Sequence, residues 1–128
     1  MSVEYEVAQY LANSGFGVLG TSIFVDQIPA ETNGIFVVSS GGQPNKYIPV
    51  TESIVDIYSK DTSASDAITL LESIKNHIHR MHTTETSNAY FFRFLVIGDV
   101  EPVQRDEEYA KIYKISVQIF NRAKNLIS

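Results

Sequence analysis

The chain has 128 residues, 44% of them hydrophobic and 11% aromatic, and it carries a formal net charge of −5. This length and composition are typical of one folded unit, so we expect residues 1–128 to form a single domain. The ten lysines and arginines are scattered, which argues against specific binding to nucleic acid. No apolar run approaches the roughly 20 residues of a membrane span. The acidic N-terminal segment is unlike a secretory signal, and the absence of cysteine excludes disulfides and thiolate chemistry.

The first predicted element is a helix over about residues 3–14. Its apolar stripe has helical spacing and consists of Val3, Val7, Tyr10 and Leu11. The helix leads into Gly15-Phe16-Gly17-Val18-Leu19-Gly20, which matches the G-x-G-x-x-G pattern of dinucleotide-binding proteins. In those proteins the glycines follow a strand and begin a helix, where free N–H groups meet a pyrophosphate. Here they follow a helix and precede a short strand at about residues 21–26, so we favour a helix-ending turn over a nucleotide site.

Two further strands are predicted before the middle of the chain. A turn over residues 29–34 leads to a second strand over residues 35–39, whose continuous apolar character predicts burial on both faces. Residues 40–46 are rich in glycine and polar residues and predict a loop. A third strand covers about residues 53–59 and contains Asp56. We favour a position for Asp56 on the solvent face, or in a salt bridge to Lys114, over a buried acid.

A second helix is predicted over about residues 64–81, because apolar residues recur there every three or four positions. They are Ile68, Leu71, Ile74 (or Lys75), Ile78 and Met81. Ser63 with Asp66 resembles a capping box at its start. His77, His79 and His82 lie close to its end and raise the possibility of a metal site. We favour a solvated helix end, since His77 and His79 point about 200° apart on a helix and cationic groups suit a helix C-terminus.

The remainder predicts a polar loop over residues 83–88, a strand over 90–98, a charged connection over 99–109 and a last strand over 110–120. Aromatic residues occupy both faces of the fourth strand, so either the helices cover both or a partner meets one. The members are Tyr90, Phe91, Phe92 and Phe94. In the last strand apolar and polar residues alternate, which predicts one wet face. The order αβββαββ predicts an α+β fold, with a mostly antiparallel sheet of about five strands and two main helices packed against it.

No sequence motif in the chain indicates a catalytic site or a site for a cofactor or metal. There is no nucleophile elbow, phosphate-binding loop, calcium loop or zinc-ligand spacing. We therefore assign no catalytic, cofactor-binding or metal-binding residue, and expect no cofactor and no enzymatic activity. A small ligand-binding α+β domain that uses the glycine turn or the histidines remains the alternative from a different functional class.

The order of the segments resembles a known family, the tail terminator proteins of long-tailed bacteriophages. The resemblance spans about residues 8–122, and the glycine turn followed by Ile23-Phe24-Val25-Asp26-Gln27-Ile28-Pro29 is its most specific part. The other segments that carry it are Gly41-Gly42-Gln43-Pro44, Ser53-Ile54-Val55-Asp56-Ile57-Tyr58-Ser59-Lys60, Gln104-Arg105-Asp106-Glu107 and Ile112-Tyr113-Lys114-Ile115-Ser116-Val117-Gln118-Ile119-Phe120. Residues 30–31 depart from the pattern of many members, and so does the loop that follows the second helix.

The resemblance implies a structural virion protein, without catalytic residues, in a hexameric ring at the head-proximal end of the tail tube. Its implied partners are further copies of itself, the tail tube protein and a head connector or stopper protein, with DNA passing through the lumen without specific binding. It implies assembly in the host cytoplasm and no membrane. Another head–tail connector, such as a stopper or completion protein, is the alternative. The candidate assembly-interface residues are Gln43, Asn45, Lys46, Tyr47, Thr84, Glu85, Tyr90, Gln104, Arg105 and Asp106.

Overall fold

The computed structural model describes residues 3–25, 33–44, 51–61, 63–79, 84–85, 89–105 and 111–123. In that part of the chain two helices and six strands follow one another. They are α1 (Val3–Asn13), β1 (Ile23–Val25), β2 (Gly34–Pro44), β3 (Thr51–Asp61), α2 (Ala64–His79), β4 (Thr84–Glu85), β5 (Ala89–Arg105) and β6 (Lys111–Ala123). Neither of these helices has the length and apolar character that crossing a membrane requires.

The strands form one sheet in the order β1-β2-β3-β6-β5-β4. β1 runs parallel to β2, and every other pair of neighbours is antiparallel. The predicted α+β fold with a mostly antiparallel sheet and two helices is therefore confirmed. The two-residue strand β4 is an addition at one edge of this sheet, within the segment predicted as a polar loop.

Both helices lie on the same face of the sheet, because their buried residues form a single cluster with alternate residues of β2, β3 and β6. The members with at most 1% exposure include Val7, Leu11, Leu71, Ile74, Ile78, Ile35, Val37, Val55, Ile57, Ile115, Val117 and Ile119. Burying each such side chain contributes about 1.5–3 kcal/mol relative to leaving it in water. The stripes predicted for both helices and the alternation predicted for the last strand are confirmed, and Ile74 rather than Lys75 is the buried position.

The face of the sheet opposite the helices also carries buried residues. Phe36 is fully buried there and stacks on Phe24 of β1, with ring centroids 5.4 Å apart. Its neighbours along β2, Ile35 and Val37, point to the helical face and are buried as well. The prediction that this strand is buried on both faces is therefore confirmed for its first half.

The start of α2 follows the predicted capping pattern. The Ser63 hydroxyl accepts the N–H of Asp66 at 3.3 Å, which satisfies one of the orphan donors of the first turn. Asp61 in turn accepts the N–H of Ser63 at 3.0 Å. The end of β3 and the first turn of α2 are thereby tied together, which fixes the angle at which the helix returns over the sheet.

Two of the predicted loops are wrong, because their residues continue strands. The segment 40–44 belongs to β2, where Gly41–Pro44 pair with Ile54–Thr51 of β3. The segment 99–105 belongs to β5, which pairs with β6 as far as Arg105. Glycine, serine and charged residues disfavour strands in isolation, but a ladder already started by apolar neighbours overrides that preference. The pairing register shifts within these strands, by a β-bulge or similar irregularity, at Ser39/Gly41, Phe91/Arg93, Ile97/Glu101 and Pro102/Gln104.

Candidate assembly surface

The glycine-rich segment ends α1 in a Schellman motif. The N–H of Gly15 donates to the carbonyl of Ala12, and the N–H of Phe16 donates to the carbonyl of Leu11, each at 3.1 Å. Gly15 has φ +90°, a conformation that other residues rarely adopt. The prediction that these glycines end a helix is confirmed.

The second half of the segment is a tight turn closed by its own hydrogen bonds. The Val18 carbonyl accepts the N–H groups of Thr21, Ser22 and Ile23 at 2.9–3.1 Å, and the Val18 N–H donates to the Ser22 hydroxyl at 2.9 Å. The N–H of Gly20 donates to the Ile23 carbonyl at 2.8 Å. A phosphate-binding loop needs such amides to be free and to converge on one point. Here they are used within the turn, so the segment is structural.

His77 connects α2 to the end of α1. Its Nε2 lies 2.9 Å from the Tyr10 hydroxyl, and its ring meets the Phe16 ring edge-on with centroids 5.4 Å apart. The side chain of His79 and the whole of His82 lie outside the described part of the chain. The described residues contain no group of three or more histidines and carboxylates that could hold a metal ion. The sequence alone did not reveal the Tyr10 contact, since the two residues are 67 positions apart.

Asp56 is a buried acid, so the prediction of a solvent-face position or a salt bridge to Lys114 is wrong. It is 8% exposed, and its carboxylate accepts a hydrogen bond of 2.7 Å from the Ser116 hydroxyl directly across the β3–β6 ladder. It also accepts one from Tyr58, and burial followed by the Asp56 charge raises the pKa of that tyrosine. The ammonium nitrogen of Lys114 instead lies 3.7 Å from a carboxylate oxygen of Glu101 on β5. The acid tolerates this position because neighbouring hydroxyls satisfy its oxygens.

The middle of β5 bulges towards α2. Between the pairs Ile97↔Ser116 and Glu101↔Lys114, three β5 residues oppose one residue of β6, and Gly98 has φ +79°. The next residue, Asp99, accepts a hydrogen bond of 2.7 Å from the ammonium group of Lys75 on α2. This contact lowers the pKa of Asp99 below its usual value. The bulge is thus attached to the helix by an exposed ion pair.

The candidate interface residues fall into two groups at opposite ends of the sheet. At one end, β2, β4 and the start of β5 carry the group Gln43, Thr84, Glu85 and Tyr90. At the other end, β5 finishes with Gln104 and Arg105, which pair with Ile112 and Lys111. The remaining candidates, Asn45, Lys46, Tyr47 and Asp106, lie outside the described residues. The strand β6 runs from one end to the other. At the usual rise per residue of a strand, its residues Lys111 and Arg122 are about 35 Å apart.

Two stretches of strand edge lack a strand partner in the described part of the chain. β1 covers the outer edge of β2 only along Ile35–Val37, and β4 covers the outer edge of β5 only at Tyr90 and Phe91. Residues 38–44 and 92–105 therefore have a strand on one side and none of the described strands on the other. The sequence could not reveal these edges, because part of each was predicted as loop.

Comparison with known proteins identifies the family. Residues 10–120 match a family described as bacteriophage tail terminator protein. A search of curated proteins gives no match. The family match begins within α1 and ends in β6, so it includes the glycine turn, the first five strands and most of the sixth. The chain belongs to the bacteriophage tail terminator protein family, a family of structural components of the virion tail.

Proposed function

We propose that this protein forms a hexameric ring at the head-proximal end of the tail tube, stops tube polymerisation and provides the surface for head–tail joining. Family membership over residues 10–120 is the observation that carries the proposal. The function is steric: a ring that binds the last layer of the tube occupies the site where the next layer would add. No catalytic group is required for this, and the amides of Val18 and Gly20 in the glycine turn are used internally.

The charge of the chain suits a channel that DNA traverses. Each copy carries −5, so a ring of six would carry −30. Like charge repels the phosphate backbone, and a protein that must release DNA during ejection gains from weak attraction to it. The net charge thus supports passage of DNA through the lumen without specific binding.

The two ends of the sheet fit two different partners. A terminator has to contact the tail tube on one side and a head connector or stopper protein on the other. The candidate residues of this chain lie at opposite ends of the sheet, about 35 Å apart along β6. A ring with its axis roughly along the strands would present one group to each partner. We therefore assign the end at Gln43, Thr84 and Glu85 to one partner, and the end at Gln104 and Arg105 to the other.

Electron microscopy of the purified protein, alone and with tail tubes, tests the ring. We expect closed rings, or rings on one end of each tube, and a tube whose length no longer grows when further tube protein is added. In a phage that lacks the protein, tubes should exceed their normal length. A stopper or completion protein would instead bind head connectors and leave tube length unchanged. Chains that remain monomeric in the presence of tubes would refute the proposal.

Substitutions at the two ends test the assignment of partners. Glu85→Lys alters one end and Arg105→Glu the other, while Ser73→Lys on the exposed face of α2 is a matched control. We expect one end variant to lose tube capping with head joining retained, the other to show the reverse, and the control to keep both. If both end variants lose the same activity, the assignment of one end to each partner is wrong.

A further inference from the structure

No described strand covers the outer edge of β2 beyond Val37, and the sequence of β2 there lacks the usual protection of an edge strand. Such edges are normally blocked by charged side chains, proline or bulges, because their unpaired N–H and C=O groups can pair with another chain. Residues 38–43 read Val-Ser-Ser-Gly-Gly-Gln and contain no charge and no proline. One irregularity, at Ser40, interrupts them, and proline first appears at the last residue of the strand, Pro44. Glycine in a strand commonly marks a place where another backbone approaches closely.

The outer edge of β5 offers a stretch of matching length. Residues 93–97 pair in regular register with β6, between irregularities at Phe91/Arg93 and Ile97/Glu101. On the other side of this stretch the described residues provide no strand, since β4 ends its pairing at Phe91. Leu95 is half-buried and Ile97 is 48% exposed, so apolar surface accompanies the open edge. Beyond Ile97 the strand carries Asp99, Glu101 and Pro102, which protect it.

The two stretches lie at the same level of the sheet. Cross-strand pairing leads from Gln43 through β3 and β6 to Arg93, and from Val38 through Asp56 and Ser116 to Ile97. The strands alternate in direction from β2 through β3 and β6 to β5, so β2 and β5 run in opposite directions. Copies related by rotation about an axis along the strands would therefore bring these edges together as an antiparallel pair.

The flanking strands have complementary positions. β1 occupies the outer side of β2 just below the open stretch, and β4 occupies the outer side of β5 just above it. Pro44 is level with Phe91, where β4 pairs, so β4 lies above the level of residues 38–43. The bulge between Ile97 and Glu101 bends β5 at the level where β5 would otherwise meet the β1 of the neighbouring copy.

We propose that residues 38–43 of one copy form an antiparallel ladder with residues 93–97 of the next copy, which makes the sheet continuous around the ring. The partner is a second copy of this chain, because its own sheet supplies an edge of the right length, level and direction. This contact joins two different patches and is therefore of the head-to-tail kind that closes a ring. The inference rests on the proposed ring and specifies the surface that closes it.

Disulfide trapping tests the ladder in a chain that has no cysteine of its own. Gly41 is level with Leu95, so the double variant Gly41→Cys/Leu95→Cys probes an unstaggered contact. Gly41→Cys/Ile97→Cys probes a stagger of two residues, such as a closed sheet can require. Within one subunit the two positions are separated by three strand spacings, about 14 Å, which is beyond the reach of a disulfide. Any disulfide formed must therefore join two chains.

Under mild oxidation, we expect at least one double variant to give a series of cross-linked species that ends at the ring size. A mixture of the two corresponding single variants should stop at dimers, because each chain then has one half of the contact. The control is Gly41→Cys/Ser73→Cys, which places the second thiol on the exposed face of α2. If rings are seen by microscopy but neither double variant cross-links above the control, the ladder is wrong and the ring stands. Monomers alone, even with tubes present, would overturn both.

Hydrogen exchange on the unsubstituted protein gives an answer that does not depend on the variants folding. We expect peptides covering residues 38–43 and 93–97 to exchange more slowly in the ring than in the dissociated chain. The exposed face of α2 should show no such change. Equal exchange of both stretches in ring and monomer would overturn the proposal.

Discussion

Replacing Gly17 by alanine tests the packing of the glycine turn. A Cβ at this position would lie 2.5 Å from the Ser22 hydroxyl and 3.0 Å from the Ile23 side chain. If the hydroxyl moves away, the Val18 N–H loses its acceptor, at a cost of about 1 kcal/mol. Crowding of the fully buried Ile23 adds roughly 1–3 kcal/mol, and the lower entropy of the unfolded chain returns about 0.4–1 kcal/mol. We expect a net loss of roughly 1–3 kcal/mol, or about 4 °C in melting temperature for each kcal/mol.

Urea unfolding followed by tyrosine fluorescence measures this loss, because the chain has seven tyrosines and no tryptophan. The decisive comparison is Gly17→Ala in the Ser22→Ala background, where the hydroxyl is absent and the loss should be smaller. Gly20→Ala is the matched control, since its Cβ meets nothing within 4 Å and its cost, about 1–2 kcal/mol, arises from φ +87° alone. That cost should be equal in both backgrounds. If Gly17→Ala is neutral, or costs the same in both backgrounds, the packing argument is refuted.

Three further outcomes follow from the buried and paired polar groups. Asp56→Ala should lower the free energy of unfolding by about 1–3 kcal/mol, because it leaves the half-buried hydroxyls of Ser116 and Tyr58 without their acceptor, and an unchanged urea midpoint would contradict this. Burial raises the pKa of Tyr10 and Tyr58 in the folded state, so their contribution to stability is complete below pH 10.0 and is lost as the pH rises through their folded pKa values. Urea unfolding at increasing pH should show this decline in the free energy of unfolding, and a smaller decline in Tyr10→Phe and Tyr58→Phe. Equal declines in the variants and the unsubstituted protein would contradict the raised pKa values. Lys75→Gln should return the pKa of Asp99 towards its usual value in an NMR titration, with little change in stability because the pair is exposed; an unmoved pKa would exclude the ion pair.

The sequence predicted those parts of the fold that depend on local pattern. Helical periodicity located both helices to within two residues, because the apolar stripe that identifies a helix is also the surface that packs it. The glycine turn was interpreted correctly because its position after a helix determines which backbone groups point into the loop. The buried first half of β2 was visible as an unbroken apolar run.

The parts that failed depend on partners distant in the sequence. Residues 40–44 have the composition of a loop and become strand because β3 pairs with them. The sequence favours a solvent-face position or a salt bridge to Lys114 for Asp56, because a strand pattern does not show that a serine lies opposite, 60 residues away. All the candidate interface residues except Tyr90 belong to predicted loops, yet all six that the structure describes lie in strands. The open edges of the sheet can be recognised only from its strand order. The pairing register and the unpaired edges depend on how all the strands assemble, so they cannot be predicted from the sequence of one segment alone.

The placement of both helices on one face of the sheet gives the subunit a front and a back. In a closed ring of any radius, a copy rotated by 180° about its strands would place its helices on the side where the neighbouring copies place their sheets. In the proposed ring all copies would then face the same way, and the inner and outer walls would differ, one formed by helices and the other by the sheet. In such a ring, substitutions confined to the inner wall would alter the passage of DNA without altering the outer surface.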